Sequence, residues 1–151
     1  MTRMISPDIS TWPDADVALV GGVCNEEDCG AAVFPIQELC PRCSRDTVEQ
    51  TTFPRTGTLI AWTTQGFLPG APYLGDETRE TFTPFGVGLV QLGDVIRIEG
   101  RLTESDPEKL EFGATVEVTT LPLGHDDDGE EVGTTALHPV GARPTTQDAP
   151  L

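Results

Sequence analysis

Apolar and polar positions alternate with a period of two along much of this chain, and glycine, proline or clustered acids repeatedly interrupt the alternation. That rhythm predicts short β-strands joined by turns, because successive side chains of a strand point to opposite faces. Val17-Ala18-Leu19-Val20-Gly21-Gly22-Val23 reads as a first strand, Ala32-Val33-Phe34-Pro35 as a second and Thr47 to Phe53 as a third. Pro54-Arg55-Thr56-Gly57 then breaks the pattern. Before residue 17 the chain is polar and interrupted by Pro7 and Pro13, with room for one short helix or none.

The second half starts with Thr58-Leu59-Ile60-Ala61-Trp62-Thr63-Thr64, a run of β-branched and aromatic residues. A long punctuated loop, residues 66–84, follows. Residues 85–92 and 95–102 then flank Gly93-Asp94, which predicts a two-residue hairpin of type II′. In the later strand Arg97, Glu99 and Arg101 alternate with Ile96, Ile98 and Gly100, so one face is wet and the other buried. Ser105-Asp106-Pro107-Glu108-Lys109-Leu110 carries a capping residue, an early proline and good helix formers, and predicts a short helix. Residues 115–121 and 132–140 complete five strands around the charged turn Asp126-Asp127-Asp128-Gly129-Glu130-Glu131. Five strands with one helix between the third and fourth match the order of an OB-fold barrel. Residues 141–151 have little to bury and are expected to be disordered.

Four cysteines change the picture of the first half. Cys24 and Cys29 bracket Asn-Glu-Glu-Asp, and Cys40-Pro41-Arg42-Cys43 follows after a hairpin-length spacer. Four thiolates in two close pairs suit one tetrahedral Zn²⁺ in a closed, structural site; iron accepts the same donors. Gly30 supplies a position tolerant of positive φ beside the second ligand. Sulfur at all four positions leaves no place for a catalytic water. The expected organisation is a polar segment at 1–16, a rubredoxin-like zinc ribbon at 17–54, the OB-fold at 55–140 and the tail at 141–151.

Composition narrows the function classes. Hydrophobic residues make up 37%, low for one large core, while Gly 16 and Pro 13 are high, as expected of turn-rich β structure. The formal net charge is −16, and Lys109 is the only lysine. A surface so acidic repels phosphate backbones and argues against nucleic-acid binding. No apolar run approaches the roughly 20 residues that span a bilayer, and residues 1–12 lack the apolar stretch of a secretory signal. The expectation is a cytoplasmic protein without a membrane partner.

Both halves together resemble a known family, the zinc-ribbon/OB-fold proteins associated with acyl-CoA enzymes and called domain of unknown function 35. The resemblance rests on Gly22-Val23-Cys24 to Cys29-Gly30, Phe34-Pro35, Cys40-Pro41-Arg42-Cys43 and Gly57-Thr58-Leu59 in the first part of the chain. It continues through residues 85–92 and 97–102 and through Asp106-Pro107-Glu108-Lys109-Leu110 with Gly113. Two departures stand out: the first cysteine pair often brackets two residues in this family and here brackets four, and the 66–84 loop is longer than usual. The resemblance implies a non-catalytic subunit of a hetero-oligomer in lipid metabolism. Its partner would be a thiolase-like enzyme (an acetyl-CoA acetyltransferase, a sterol-carrier-type thiolase or a retro-aldolase), whose acyl-CoA site it helps to form. An acyl-CoA hydratase as partner, or a single-stranded nucleic-acid-binding ribbon and barrel, are the alternatives.

The residues agree with a non-catalytic role. His125 and His138 are the only histidines, and neither sits in an evident nucleophilic constellation. Phe67, Tyr73, Phe82 and Phe85 put large apolar surface into or beside the punctuated loop. Such a cluster anchors a protein interface, lines the path of an acyl chain, or plugs the end of the barrel. Arg42, inside the second cysteine knuckle, is the candidate cation for an anionic CoA group or for an ion pair with nearby glutamates.

Overall fold

A computed structural model describes residues 1–140; the expected disordered tail lies outside the described residues. Nine strands run in chain order: β1 Arg3–Met4, β2 Val20–Cys24, β3 Ala32–Val33, β4 Val48–Thr52, β5 Thr56–Gln65, β6 Phe85–Leu92, β7 Ile96–Leu102, β8 Thr115–His125 and β9 Glu131–Pro139. The helical content among the described residues is two single 3₁₀ turns, Pro7–Ile9 and Pro107–Lys109. The protein is mainly β, as the alternation predicts.

Strands β5 to β9 close a five-stranded barrel. The antiparallel ladders β5–β6, β6–β7, β5–β8 and β8–β9 are completed by a parallel pairing of β7 with β9, Arg101 opposite Ala136 and Leu102 opposite Leu137. This is OB-fold connectivity. Closure gives each of those strands a partner on both sides, and β1 adds in parallel beside the start of β9, which β7 does not reach. Alternation decides what faces inward: Leu59, Val90, Leu92, Ile98, Leu102, Val116, Val118 and Leu137 are buried together.

The first half forms a separate three-stranded sheet in the order β3-β2-β4. Its base is nevertheless part of the barrel core, because Val17, Leu19 and Phe53 belong to the same buried cluster as Leu59 and Val118. Phe34 packs edge-on against Phe53, with ring centroids 6.2 Å apart. Arg55 reinforces the junction: its Nε donates to the Val17 carbonyl at 3.0 Å and its Nη2 lies 2.9 Å from Glu117 on β8.

Three details differ from the sequence reading. The β6–β7 connection keeps the expected turn, with Gly93 at φ 55° and the Val95 N–H bonded to the Leu92 carbonyl. The ladder, however, pairs Leu92 with Ile96, so Val95 is an extra residue and the loop has three residues rather than two. The expected helix at 105–110 is only the Pro107–Lys109 turn, capped by the Asp106 carboxylate, which accepts from the Glu108 N–H at 3.0 Å. Leu110 turns extended there (φ −96°, ψ 130°) to enter the core, which stops the turn. The N-terminal segment, read as polar with one short helix or none, carries the Pro7–Ile9 turn and also a short strand, β1, whose Met4 is buried.

Candidate metal centre and docking loop

The two cysteine knuckles meet at the far end of the β3-β2-β4 sheet. Cys24 ends β2, Cys29 follows a four-residue excursion, and Gly30 at φ 65° turns the chain back toward β3. The Cys24 N–H bonds the Ala31 carbonyl, and the Cys40 N–H bonds the Arg45 carbonyl, so each knuckle is closed by its own backbone. All four Sγ atoms lie within 4.8 Å of one another, with Cys24–Cys43 and Cys29–Cys40 each at 3.7 Å. A tetrahedron with metal–sulfur bonds of about 2.3 Å has edges of about 3.8 Å. The spacing therefore fits four ligands of one Zn²⁺ and is far too long for a disulfide bond of about 2.05 Å.

The electrostatics point the same way. The Thr47 hydroxyl, 3.2 Å away, and the Glu26 N–H hold the Cys24 thiol below its ordinary value. The N–H groups of Cys43 and Arg42 hold Cys40 down to about 6. Cys29 accepts from the Ala31 N–H, but burial and the three neighbouring sulfurs outweigh it and push the thiol up to about 12. Cys43, served by the Arg45 N–H, is also raised by burial and by Cys24 and Cys40. Four thiols packed this closely do not all ionise without a cation among them, and a divalent metal supplies one.

The acidic insert between the first two cysteines has a structural use. Arg45 Nη1 reaches Glu26 at 3.0 Å and Asp28 at 3.3 Å, tying one knuckle to the other. Arg42 completes the clasp by donating to the Cys29 carbonyl at 3.3 Å rather than pairing with a glutamate. These bonds are exposed, so they position the knuckles more than they stabilise the fold.

The 66–84 loop leaves β5, crosses the barrel and returns to β6. Phe67 is 73% exposed, the most exposed of the large apolar side chains. With Gly66, Leu68, Arg79, Phe82 and Pro84 it lines an open cavity of about 510 Å³. Phe82 packs edge-on against Phe85 at 6.1 Å. Arg101 on β7 lies over the Phe85 ring, 3.9 Å from its centroid, and its Nη1 donates to the Tyr73 hydroxyl at 3.3 Å. Tyr73 in turn donates to the Glu77 carboxylate. The four aromatics thus divide between an open cavity, holding Phe67 and Phe82, and a covered stack built on Phe85 and Tyr73. Arg42 belongs to neither.

Residues 50–121 match the profile described as the ChsH2 C-terminal OB-fold domain. A DUF35 domain-containing scaffold protein of Pyrococcus furiosus is 30% identical over 112 residues, covering 74% of this chain and 75% of that relative. This chain belongs to the DUF35 family. A second DUF35 scaffold protein, from Methanocaldococcus jannaschii, is 27% identical over 113 residues, 74% of each chain. Among solved structures, a chain of the Ltp2-ChsH2(DUF35) aldolase superposes with a TM-score of 0.56 at 22% identity, over 81% of this chain and 84% of that one. The last comparison bears on the fold, which the two share.

Against this DUF35 background, several site residues lay beyond sequence reasoning. Arg101 reads in the sequence as a cation on the wet face of β7, free for an anionic group; its stacking on Phe85 depends on pairing β6 with β7. His125, without a partner in the sequence reading, has one in Asp76, its Nδ1 lying 2.6 Å from Oδ2. The two are 49 residues apart and no local spacing signals the contact. His138 is bonded through Nδ1 to the Thr103 hydroxyl at 2.8 Å, an ordinary strand-end arrangement.

Proposed function

We propose that this DUF35 chain is a non-catalytic accessory subunit that binds and stabilises a thiolase-superfamily enzyme and helps form its acyl-CoA site. The observation that carries the reading is the alignment to relatives named scaffold proteins, which runs through most of the chain rather than one motif. The solved neighbour is a chain of an aldolase named for Ltp2 and ChsH2 together. An acetyl-CoA acetyltransferase, a sterol-carrier-type thiolase and a retro-aldolase are the partner classes considered, in a cytoplasmic hetero-oligomer.

The chemistry of the chain supports the same reading. Cys24, Cys29, Cys40 and Cys43 would hold one structural zinc ion through four sulfurs, leaving no open position for substrate. Bound there, the metal would supply rigidity to the ribbon, here residues 17–54, which braces the barrel of residues 55–140. Phe67 and Phe82 at the open cavity are the anchors we assign to the partner or to an acyl chain. Tyr73 and Phe85 lie behind them and hold the loop in shape, and Arg42 contributes from the ribbon. The partner supplies most of the binding to CoA phosphates, because this chain carries a net charge of −16.

The test uses purified components. A thiolase-like enzyme from the same source is assayed for acyl-CoA turnover alone, with this chain added, and against this chain by itself. Expected are an inert chain and an enzyme whose activity or solubility rises on addition. Turnover by this chain alone would overturn the proposal.

A further inference from the structure

We infer that residues 73–77 form a strap that runs from Arg101 of β7, held there by Tyr73, to the end of β8, where it is fastened by an Asp76–His125 clasp that loosens as the imidazole loses its proton. The inference stands on the chain by itself and does not depend on the partner enzyme. In an OB barrel the second and third strands, flanked by the loops after the first and fourth strands, make the usual ligand platform. Here those strands are β6 and β7, and the flanking loops are 66–84 and the turn that follows His125.

Burial shows that one corner of this platform is covered, at Phe85, while Arg97 and Glu99 of β7 stay exposed. The inward side chains of β6 are Val90 and Leu92, with Gly86 and Gly88 on the same side against Leu102. Alternation therefore turns Phe85 outward, yet it is only 9% exposed. What hides it is Arg101 above its ring, with Phe82 at its edge. Tyr73 holds Arg101 from the loop side, so the strap and the covered ring form one unit.

The far end of the strap is fixed by one carboxylate. Asp76 Oδ1 accepts the His125 backbone N–H at 2.9 Å and Oδ2 meets the His125 Nδ1 at 2.6 Å. The approach is close enough that a Cβ on Gly124 would strike the Leu74 carbonyl oxygen. The charged groups facing His125 are Asp76 from the loop, Asp126 from its own turn and Glu131 from β9. Asp126 is matched by Arg3 of β1 and Glu131 by the chain's amino group. Asp76 is the carboxylate bonded to the ring itself.

The sign of the pH dependence follows. Its hydrogen bond to Asp76, and then the Asp76 charge, raise His125 above its ordinary 6.5, and the same bonds lower Asp76 below 3.8. The ionic part of the clasp is complete between those two ordinary values. It is lost as pH rises through the raised histidine value, and lost again as pH falls through the lowered aspartate value. Above the histidine value a neutral imidazole and the backbone N–H remain, so the strap loosens rather than detaches.

Amide hydrogen exchange on the full chain tests the clasp, with rates corrected for the intrinsic effect of pH. Peptides covering the strap and the end of β8 should be more protected near about pH 5.5 than near about pH 8, by a few-fold in exchange rate. Asp76→Asn should leave them weakly protected at both pH values, while β6 and β7 peptides stay protected in their core amides and report an intact barrel. A His125 ring that titrates at or below its ordinary value by NMR would overturn the inference. So would strap protection that is unchanged by pH, or unchanged by Asp76→Asn.

Discussion

At the scale of single residues, the metal centre is the part of the site most legible in the sequence. Thiolates in two close pairs have few uses, and the cysteines of one pair meet those of the other at 3.7 Å across the two knuckles. Metal analysis of the purified chain should find one zinc per molecule. Cys40→Ser should remove it, because the buried Cys40 is one of four donors and a hydroxyl is a poor substitute for a thiolate. A Cys40→Ser protein that retains a full equivalent of zinc would contradict the assignment. The Asp76–His125 pair shows the opposite limit. Neither residue has a distinctive neighbour in sequence, and only the route of a long loop brings them together.

At the scale of elements, alternation predicted where strands lie but not how their ends are trimmed. The β6–β7 turn was recognisable from Gly93, whereas the extra Val95 was not, because register is set by which side chains must face the core. The expected helix shrank to a 3₁₀ turn for a related reason: burying Leu110 outweighs the helix preference of its neighbours. The docking of the ribbon on the barrel was also invisible, although Phe53, which makes it, lies at the end of an expected strand. Phe53 is 3% exposed and shares the barrel core. Phe53→Ala should cost about 3–5 kcal/mol by opening a cavity at the junction, read as a lower midpoint in denaturant unfolding. Leu59→Ala, at a fully buried barrel position, should cost about 2–5 kcal/mol. An unchanged midpoint for Phe53→Ala would mean that the two sheets do not share a core.

At the scale of the whole molecule, two sheets with one core place a ribbon with four clustered cysteines at one end and a loop with exposed aromatics on the barrel. No helix among the described residues is long and apolar enough to cross a membrane. The charge of −16 gives the chain a repulsive field toward phosphate polymers. Gel shifts with single-stranded DNA should therefore show no binding even at low salt, where electrostatic attraction would be greatest. Removing zinc with a chelator should weaken assembly with a partner while leaving the partner's own chemistry intact, because in the proposed role the ribbon supports a surface and supplies no reacting group.

The central claim, that this chain is a scaffold for a thiolase-like enzyme, is tested most directly by co-expressing the two and measuring the mass of what elutes from size-exclusion chromatography. The account predicts one hetero-oligomeric peak containing both chains, and its loss or weakening when Phe67 is replaced by aspartate. A thiolase-like enzyme that is soluble, fully active and always elutes apart from this chain would contradict it.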